Sequence, residues 1–149
     1  MNDTIWKPHV TVAAVLERDG RFLVVEEQTD DGVRLNQPAG HLEPDESIIE
    51  GAVREAMEET AYRFEPRHLV GVYRWRNPSG VVYLRFAFTG PIVAHEAGRI
   101  LDHGILRALW LTPDELHAES ARHRSPIVMR CVEDYLKGRR FPLDLLAHL

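Results

Sequence analysis

The chain has one cysteine in 149 residues, no excess of positive charge and no long apolar run. Each absence closes off a class of protein. A lone thiol, Cys131, cannot form an internal disulfide. Its neighbours Ile127, Val128, Val132, Tyr135 and Leu136 recur at helical spacing, so a small core residue is expected there rather than a reactive one. A net charge of −5 leaves no general basic surface to follow a phosphate backbone, so a small ligand is expected and long nucleic acids are not. No stretch approaches the roughly eighteen apolar residues of a membrane span. The opening MNDTIWKPHV also lacks a cationic segment followed by an apolar one, and a cytoplasmic protein is the expectation.

The length suits a single domain, 1–149, able to bury about 68–70% of the surface its unfolded form exposes. The runs VTVAAVLE (10–17) and RFLVVEE (21–27) are rich in β-branched residues and flank Asp19-Gly20, a hairpin signal, so they are predicted to pair antiparallel. LVGVYRWR (69–76) and VVYLRFAF (81–88) read as a second strand pair joined by the turn Asn77-Pro78-Ser79-Gly80. A further strand, ILRALWL (105–111), precedes Thr112-Pro113, an N-cap followed by proline at the first helical position. A last helix is expected from Ser125-Pro126 to about Lys137, stopped near Gly138, with the apolar tail folding back or packing on a partner. Strands interleaved with helices suggest an α/β (α+β) arrangement, a mixed sheet covered on both faces.

The stretch GHLEPDESIIEGAVREAMEETAY (40–62) is unusual for its carboxylates. At about 100° per residue, Glu58 and Glu59 fall within roughly 60° of Glu55, and Ile49, Val53, Ala56 and Thr60 share the opposite face. The segment is predicted to be an amphipathic helix with its acids turned away from the core. Like charges three and four residues apart oppose a helix by roughly 0.2–0.5 kcal/mol per pair, and the nearby cations are Arg54 and Arg63. Something further should neutralise this face.

Gly40, five residues, Glu46, seven residues, Arg54-Glu55, then Glu58-Glu59: this spacing resembles the Nudix box, the signature of hydrolases acting on diphosphates linked to another moiety. The resemblance implies an α/β/α sandwich with a central mixed β-sheet. It also implies a divalent cation held by Glu55, Glu58, Glu59 and the Gly40 carbonyl, with Glu55 the favoured residue to orient or deprotonate the attacking water. Oxygen ligands without cysteine favour Mg²⁺, with Mn²⁺ as a substitute, over zinc. Arg54 is expected to be structural, pairing with Glu46 and one box glutamate. The sequence departs from the pattern at Ala56, Ala61 and Tyr62. No carboxylate is lost, but alanine is costly in the left-handed cap that glycine serves, so the helix is expected to continue through Ala61.

Other residues carry weaker signals. His41 sits beside Gly40, where it could touch a phosphate or simply be exposed. Many Nudix enzymes carry an additional carboxylate between the last strands, and Asp102 is preferred to Glu96 for it. Tyr73, Trp75, Tyr83 and Arg85 alternate on strands and could meet a ring and its phosphates, and Arg124 with Ser125 opens the last helix, where an anion could bind. The stretches KPHVTVA (7–13), FLVVEE (22–27), NQPAGHLEPDES (36–47), LRFAF (84–88) and RSP (124–126) are similar to a bacterial phosphatase subfamily. Its members release orthophosphate from nucleoside tri- and diphosphates, from hydroxymethylpyrimidine pyrophosphate and, more weakly, from thiamine pyrophosphate. Pro78, sixteen residues after Tyr62, has the spacing associated instead with ADP-ribose pyrophosphatases. A third reading is a Nudix module that senses a nucleotide without cleaving it. The chain is expected to work on a small phosphorylated molecule as a monomer or homodimer.

Overall fold

The structure is a computed structural model and describes residues 4–149. In chain order it contains β1 (His9–Ala14), β2 (Glu17–Arg18), β3 (Arg21–Thr29), β4 (Gly32–Asn36), β5 (Ala39–His41), α1 (Ile48–Thr60), β6 (Tyr62–Phe64), β7 (His68–Arg76) and β8 (Val82–Thr89). There follow β9 (Ile92–His95), β10 (Ile105–Leu111), α2 (Pro113–Ala118), α3 (Ile127–Leu136) and β11 (Phe141–Pro142), with single 3₁₀ turns at Ser120–Arg122 and Leu143–Leu145. No helix among the described residues is long and apolar enough to cross a membrane.

The main sheet runs β11-β7-β8-β1-β5. It is mixed, because β1 lies parallel to β8 (Val12 opposite Phe86) while β5, β7 and β11 pair antiparallel. A second, antiparallel sheet centres on β3, which pairs with β2, β4 and β10. β6 and β9 form a short ribbon.

β1 explains the layering. Its side chains alternate between two cores, as the period of a strand requires. Val12 and Ala14 pack with Ala52 and Ala56 of α1 and with Phe88, whereas Ala13 and Val15 pack with Val128, Cys131 and Val132 of α3. A strand buried on both faces needs a helix over each, and the result is the expected α/β/α arrangement. Cys131 is fully buried in the α3 core.

Two expectations are corrected. The Asp19-Gly20 turn forms, but only Glu17 and Arg18 pair across it in the ladder, opposite Phe22 and Arg21. Residues 9–14 leave the hairpin and join β8 and β5 in the other sheet. A strand as apolar as β1 gains more by burial on both faces than by a local pairing that covers one.

The helix also does not continue through Ala61. α1 ends at Thr60, and Ala61 adopts the left-handed conformation, φ 63° and ψ 10°. Its N–H donates to Met57 O and its carbonyl accepts from Glu96 N–H, both at 2.9 Å, while Tyr62 enters β6. The ribbon with β9 fixes the chain direction at this point, and the helix has to stop for it.

The remaining local signals form as read. The β7–β8 turn closes with Gly80 N–H donating to Asn77 O at 2.9 Å, and Thr112 caps α2 in a reciprocal capping box with Glu115. The tail returns to the protein: Phe141 pairs with Leu69 of β7, and Leu143 and Leu146 pack on the α1 core. The short strands β4, β5, β6 and β9 carry no strong periodic signal and are found only in the structure.

Candidate active site

Ser47 starts α1 in a capping box, accepting from Glu50 N–H while the Glu50 carboxylate accepts from Ser47 N–H. This fixes the entry of the helix just after Glu46. On the sheet side, Gly40 of β5 pairs with Val12 of β1, which brings the β5 edge against α1.

Arg54 is the hub of what lies between. Its Nε and Nη2 donate to the two oxygens of Glu46 at 2.8 and 2.7 Å, a bidentate fork. Nη1 donates to Glu55 Oε1 at 2.8 Å and to Glu58 Oε1 at 2.6 Å, and Nη2 also reaches His41 O at 3.1 Å. The exposed Glu43 stands at 3.5 Å. Arg54 thus touches Glu46 and two box glutamates.

The acids are not turned to solvent as the helical wheel suggests. Glu55 and Glu59 are only 7% and 8% exposed. Burial pushes the Glu55 carboxyl above its usual range, partly offset by Arg54, and pushes Glu59 up to about 9, with Glu55, Glu27 and Asp102 adding repulsion. Glu59 Oε1 accepts one compensating bond, from Ala39 N–H at 2.9 Å. Asp102 N–H donates to Glu58 O at 2.9 Å, which places Asp102 beside the cluster. Glu96 instead pairs with Arg99 at 2.9 Å.

A cleft of about 1080 Å³ opens on the α3 side of the main sheet and ends at Ala39 and Gly40, next to the acids. Trp75, Arg85 and Arg124 line it, while Glu55, Glu58 and Glu59 do not. Tyr73 is not among its lining residues; it packs against the α3 core, its hydroxyl donating to Asp134 at 2.9 Å, and this corrects its assignment as a substrate contact. Arg124 pairs loosely with Glu27 at 3.4 Å. Arg85 is 6% exposed and donates to Gln37 Oε1 at 2.8 Å and to Asn36 Oδ1 at 2.9 Å. His41 faces the cleft with its Nε2 2.9 Å from His9 Nδ1, and burial together with His9 holds its pKa below the usual value. Asn36, Gln37 and Thr11 carry no site signal in the sequence, where Asn36-Gln37 before Pro38 reads as a loop.

Residues 7–131 match the NUDIX domain. The chain belongs to the Nudix family. It is 37% identical over 143 residues to Phosphatase NudJ of Escherichia coli K12, covering 96% of this chain and 93% of NudJ, and the same figures hold for Phosphatase NudJ of Shigella flexneri. A solved Nudix hydrolase from Nitrosomonas europaea is 52% identical, with a TM-score of 0.93 over 96% of this chain and 98% of that one. The Nudix domain of Shewanella oneidensis NrtR, solved with ADP ribose, is similar in fold, with a TM-score of 0.70, 17% identity and coverage of 90% of each chain.

As a Nudix hydrolase the chain is an enzyme acting on pyrophosphate bonds, and its family's divalent cation can be tested against the residues present. Among the described residues no three acidic, histidine or cysteine side chains converge as a finished ion cage, and Glu55 and Glu58 both close on Arg54. The donor chemistry fits nonetheless. Glu59 and Asp102 have no cationic partner among the described residues, and crowding and burial raise both Glu55 and Glu59. Such a site is short of positive charge and offers only oxygen ligands, the set that Mg²⁺ and Mn²⁺ take.

Proposed function

We propose that this Nudix hydrolase uses Mg²⁺, or Mn²⁺ in its place, to release orthophosphate from nucleoside tri- and diphosphates and related pyrophosphates, hydroxymethylpyrimidine pyrophosphate and thiamine pyrophosphate among them. The observation that carries this reading is the Arg54 fork, which clamps Glu46 and draws Glu55 and Glu58 together beside a nucleotide-sized cleft that reaches Gly40. Likeness to a phosphatase over nearly the whole of both chains supports the choice of bond.

In this reading Glu55, Glu58 and Glu59, with the Gly40 carbonyl and Asp102 beside them, hold the cation. When bound, it neutralises the acids and polarises the phosphorus under attack. Glu55 takes the proton of the attacking water, a role suited to a carboxylate whose pKa is raised by burial. Arg54 touches carboxylates rather than substrate and sets their orientation. Water adds to the terminal phosphorus, and the bridging oxygen leaves with the shortened phosphate chain. Trp75, Arg85 and Arg124 meet the organic group in the cleft. The working unit is one domain, 1–149, as monomer or homodimer, in the cytoplasm.

Two other readings are less well supported. Pro78, whose spacing suggests ADP-ribose pyrophosphatases, sits in a turn already accounted for by the bonds of Gly80 and of Val81 to Asn77, at 2.9 Å each. A module that only senses a nucleotide has no need of a full set of box acids.

The test is the position of the new oxygen. The protein is incubated with Mg²⁺ and GTP, ADP-ribose or hydroxymethylpyrimidine pyrophosphate in ¹⁸O-labelled water. Label in orthophosphate supports terminal attack; label in GMP, AMP, ribose 5-phosphate or pyrophosphate, with no orthophosphate formed, overturns it.

A further inference from the structure

Four aromatic side chains form an unbroken row across the main sheet. Trp75 on β7 lies opposite Tyr83 on β8, and Tyr83 lies opposite His9 on β1. His41 on β5 pairs with Thr11, two residues on from His9, so it shares their face one step along the strand. The rings touch in turn. Trp75 and Tyr83 stack with centroids 6.0 Å apart and planes at 24°, Tyr83 meets His9 edge-on at 5.4 Å, and His9 meets His41 at 5.1 Å. The Tyr83 and His41 centroids are themselves 6.4 Å apart.

The row leads away from the acids. His41 follows Gly40 at one end, and Trp75 stands at the other, beside the Asn77–Gly80 turn, three strand spacings or about 14 Å away. Trp75, Tyr83 and His41 line the cleft. Internal packing does not account for all of them. Trp75 rests partly on the α3 core, whereas Tyr83, half-buried, packs in neither hydrophobic core of the described residues. An aromatic ring fixed at a cleft wall with no core to fill keeps its remaining surface for a ligand.

We infer that this row is a platform for the planar ring of the substrate, and that its length lets one hydrolytic centre accept rings on tethers of different length. Tyr83 and Trp75 are its specificity-determining residues. The inference deepens the proposed function and rests on the terminal phosphate lying beside the acids, with the organic group in the cleft. In hydroxymethylpyrimidine pyrophosphate one further phosphate and a methylene separate the ring from the terminal phosphorus; in a nucleoside triphosphate two further phosphates and a ribose do. The short tether brings its ring to His41 and Tyr83. The long one carries its base on to Trp75, a further 6.0 Å from Tyr83. Aromatic contact by face or edge reads no particular set of donors and acceptors, so pyrimidines and purines are accepted alike. A pyrophosphate without a planar ring gains nothing from the row.

Calorimetric titration in Mg²⁺ with ligands that resist hydrolysis tests this directly. The three probes are the β,γ-methylene analogue of GTP, the methylenebisphosphonate analogue of hydroxymethylpyrimidine pyrophosphate, and methylenebisphosphonate alone, which has no ring. Tyr83→Leu should weaken both ring-bearing ligands by about tenfold, the scale of one base stacked on one aromatic side chain. Trp75→Leu should weaken the GTP analogue by a similar factor and the pyrimidine analogue by less than about twofold, the reach of its tether being too short. Tyr83→Phe and Trp75→Phe, which keep a ring, should restore most of the affinity, and methylenebisphosphonate should bind every variant alike. Undiminished binding of the GTP analogue to either leucine variant, an equal loss for all three ligands, or an equal loss for the two rings in Trp75→Leu would overturn the inference. Parallel assays with GTP and hydroxymethylpyrimidine pyrophosphate separate it from the phosphatase reading. Ring-dependent binding without release of orthophosphate upholds the inference and refutes that reading; orthophosphate release without ring-dependent binding does the reverse.

Discussion

Gly40 on β5 and Glu55 on α1 are pressed together so closely that a β-carbon on Gly40 would overlap the Glu55 carboxylate. The contact involves no left-handed backbone; it is a matter of space alone. Gly40→Ala should preserve the fold, since the ladder with Val12 needs no particular side chain, but it must push Glu55 off Arg54. Turnover is expected to fall by about a hundredfold, the cost of misplacing a catalytic group by an ångström. Circular dichroism and steady-state kinetics check both halves, and full activity would remove Glu55 from the mechanism.

Glu59 links the site to stability. Its carboxyl, raised from 4.5 to about 9, holds a proton in the folded metal-free protein that the unfolded chain releases near pH 4.5. Stability from this group is present below that pH and is lost as pH rises toward 9. Glu59→Gln removes the dependence. The variant should melt above the wild type at pH 8.5 in chelator, by on the order of 1 kcal/mol or more, and should match it near pH 5. Hydrolysis should drop by at least about two orders of magnitude, since a cation ligand is gone. A melting temperature that falls at pH 8.5 would contradict the buried, crowded carboxylate.

Arg54→Lys retains charge and loses the fork. One ammonium cannot serve both oxygens of Glu46 and also hold Glu55 and Glu58. We expect kcat to fall by roughly ten- to a hundredfold with KM changed much less, because the glutamates are mispositioned while the cleft is intact. Equal loss in both parameters would place Arg54 on the substrate instead.

Ala61 holds a conformation that suits glycine. Ala61→Gly should raise stability by about 0.5–1 kcal/mol, the relief of left-handed strain less the extra freedom of glycine in the unfolded chain. Thermal melts decide it. A loss would show that the buried methyl, 4% exposed, contributes more than the strain costs.

The sequence alone determined the box and its helix, the cap at Thr112, the β7–β8 turn and the two-sided covering of the sheet. These are encoded by neighbours in the chain: apolar period selects helix or strand, and turn or cap residues set its ends. The partners of β1 were decided by the tertiary structure, because a run such as VTVAA can complete a hairpin or a central strand and only the other strands settle which burial is larger. The same holds for the acids of α1. A helical wheel places Glu55 and Glu59 away from Val53 and Thr60, but β5, invisible as a strand in the sequence, covers the acids' side and turns a solvated face into a buried one. It holds again for Arg85 and its amides, brought together from β8 and the segment before β5, 48 and 49 residues apart in the chain. Spacing along the chain carries local geometry, whereas burial and charge compensation depend on what the rest of the chain lays on top.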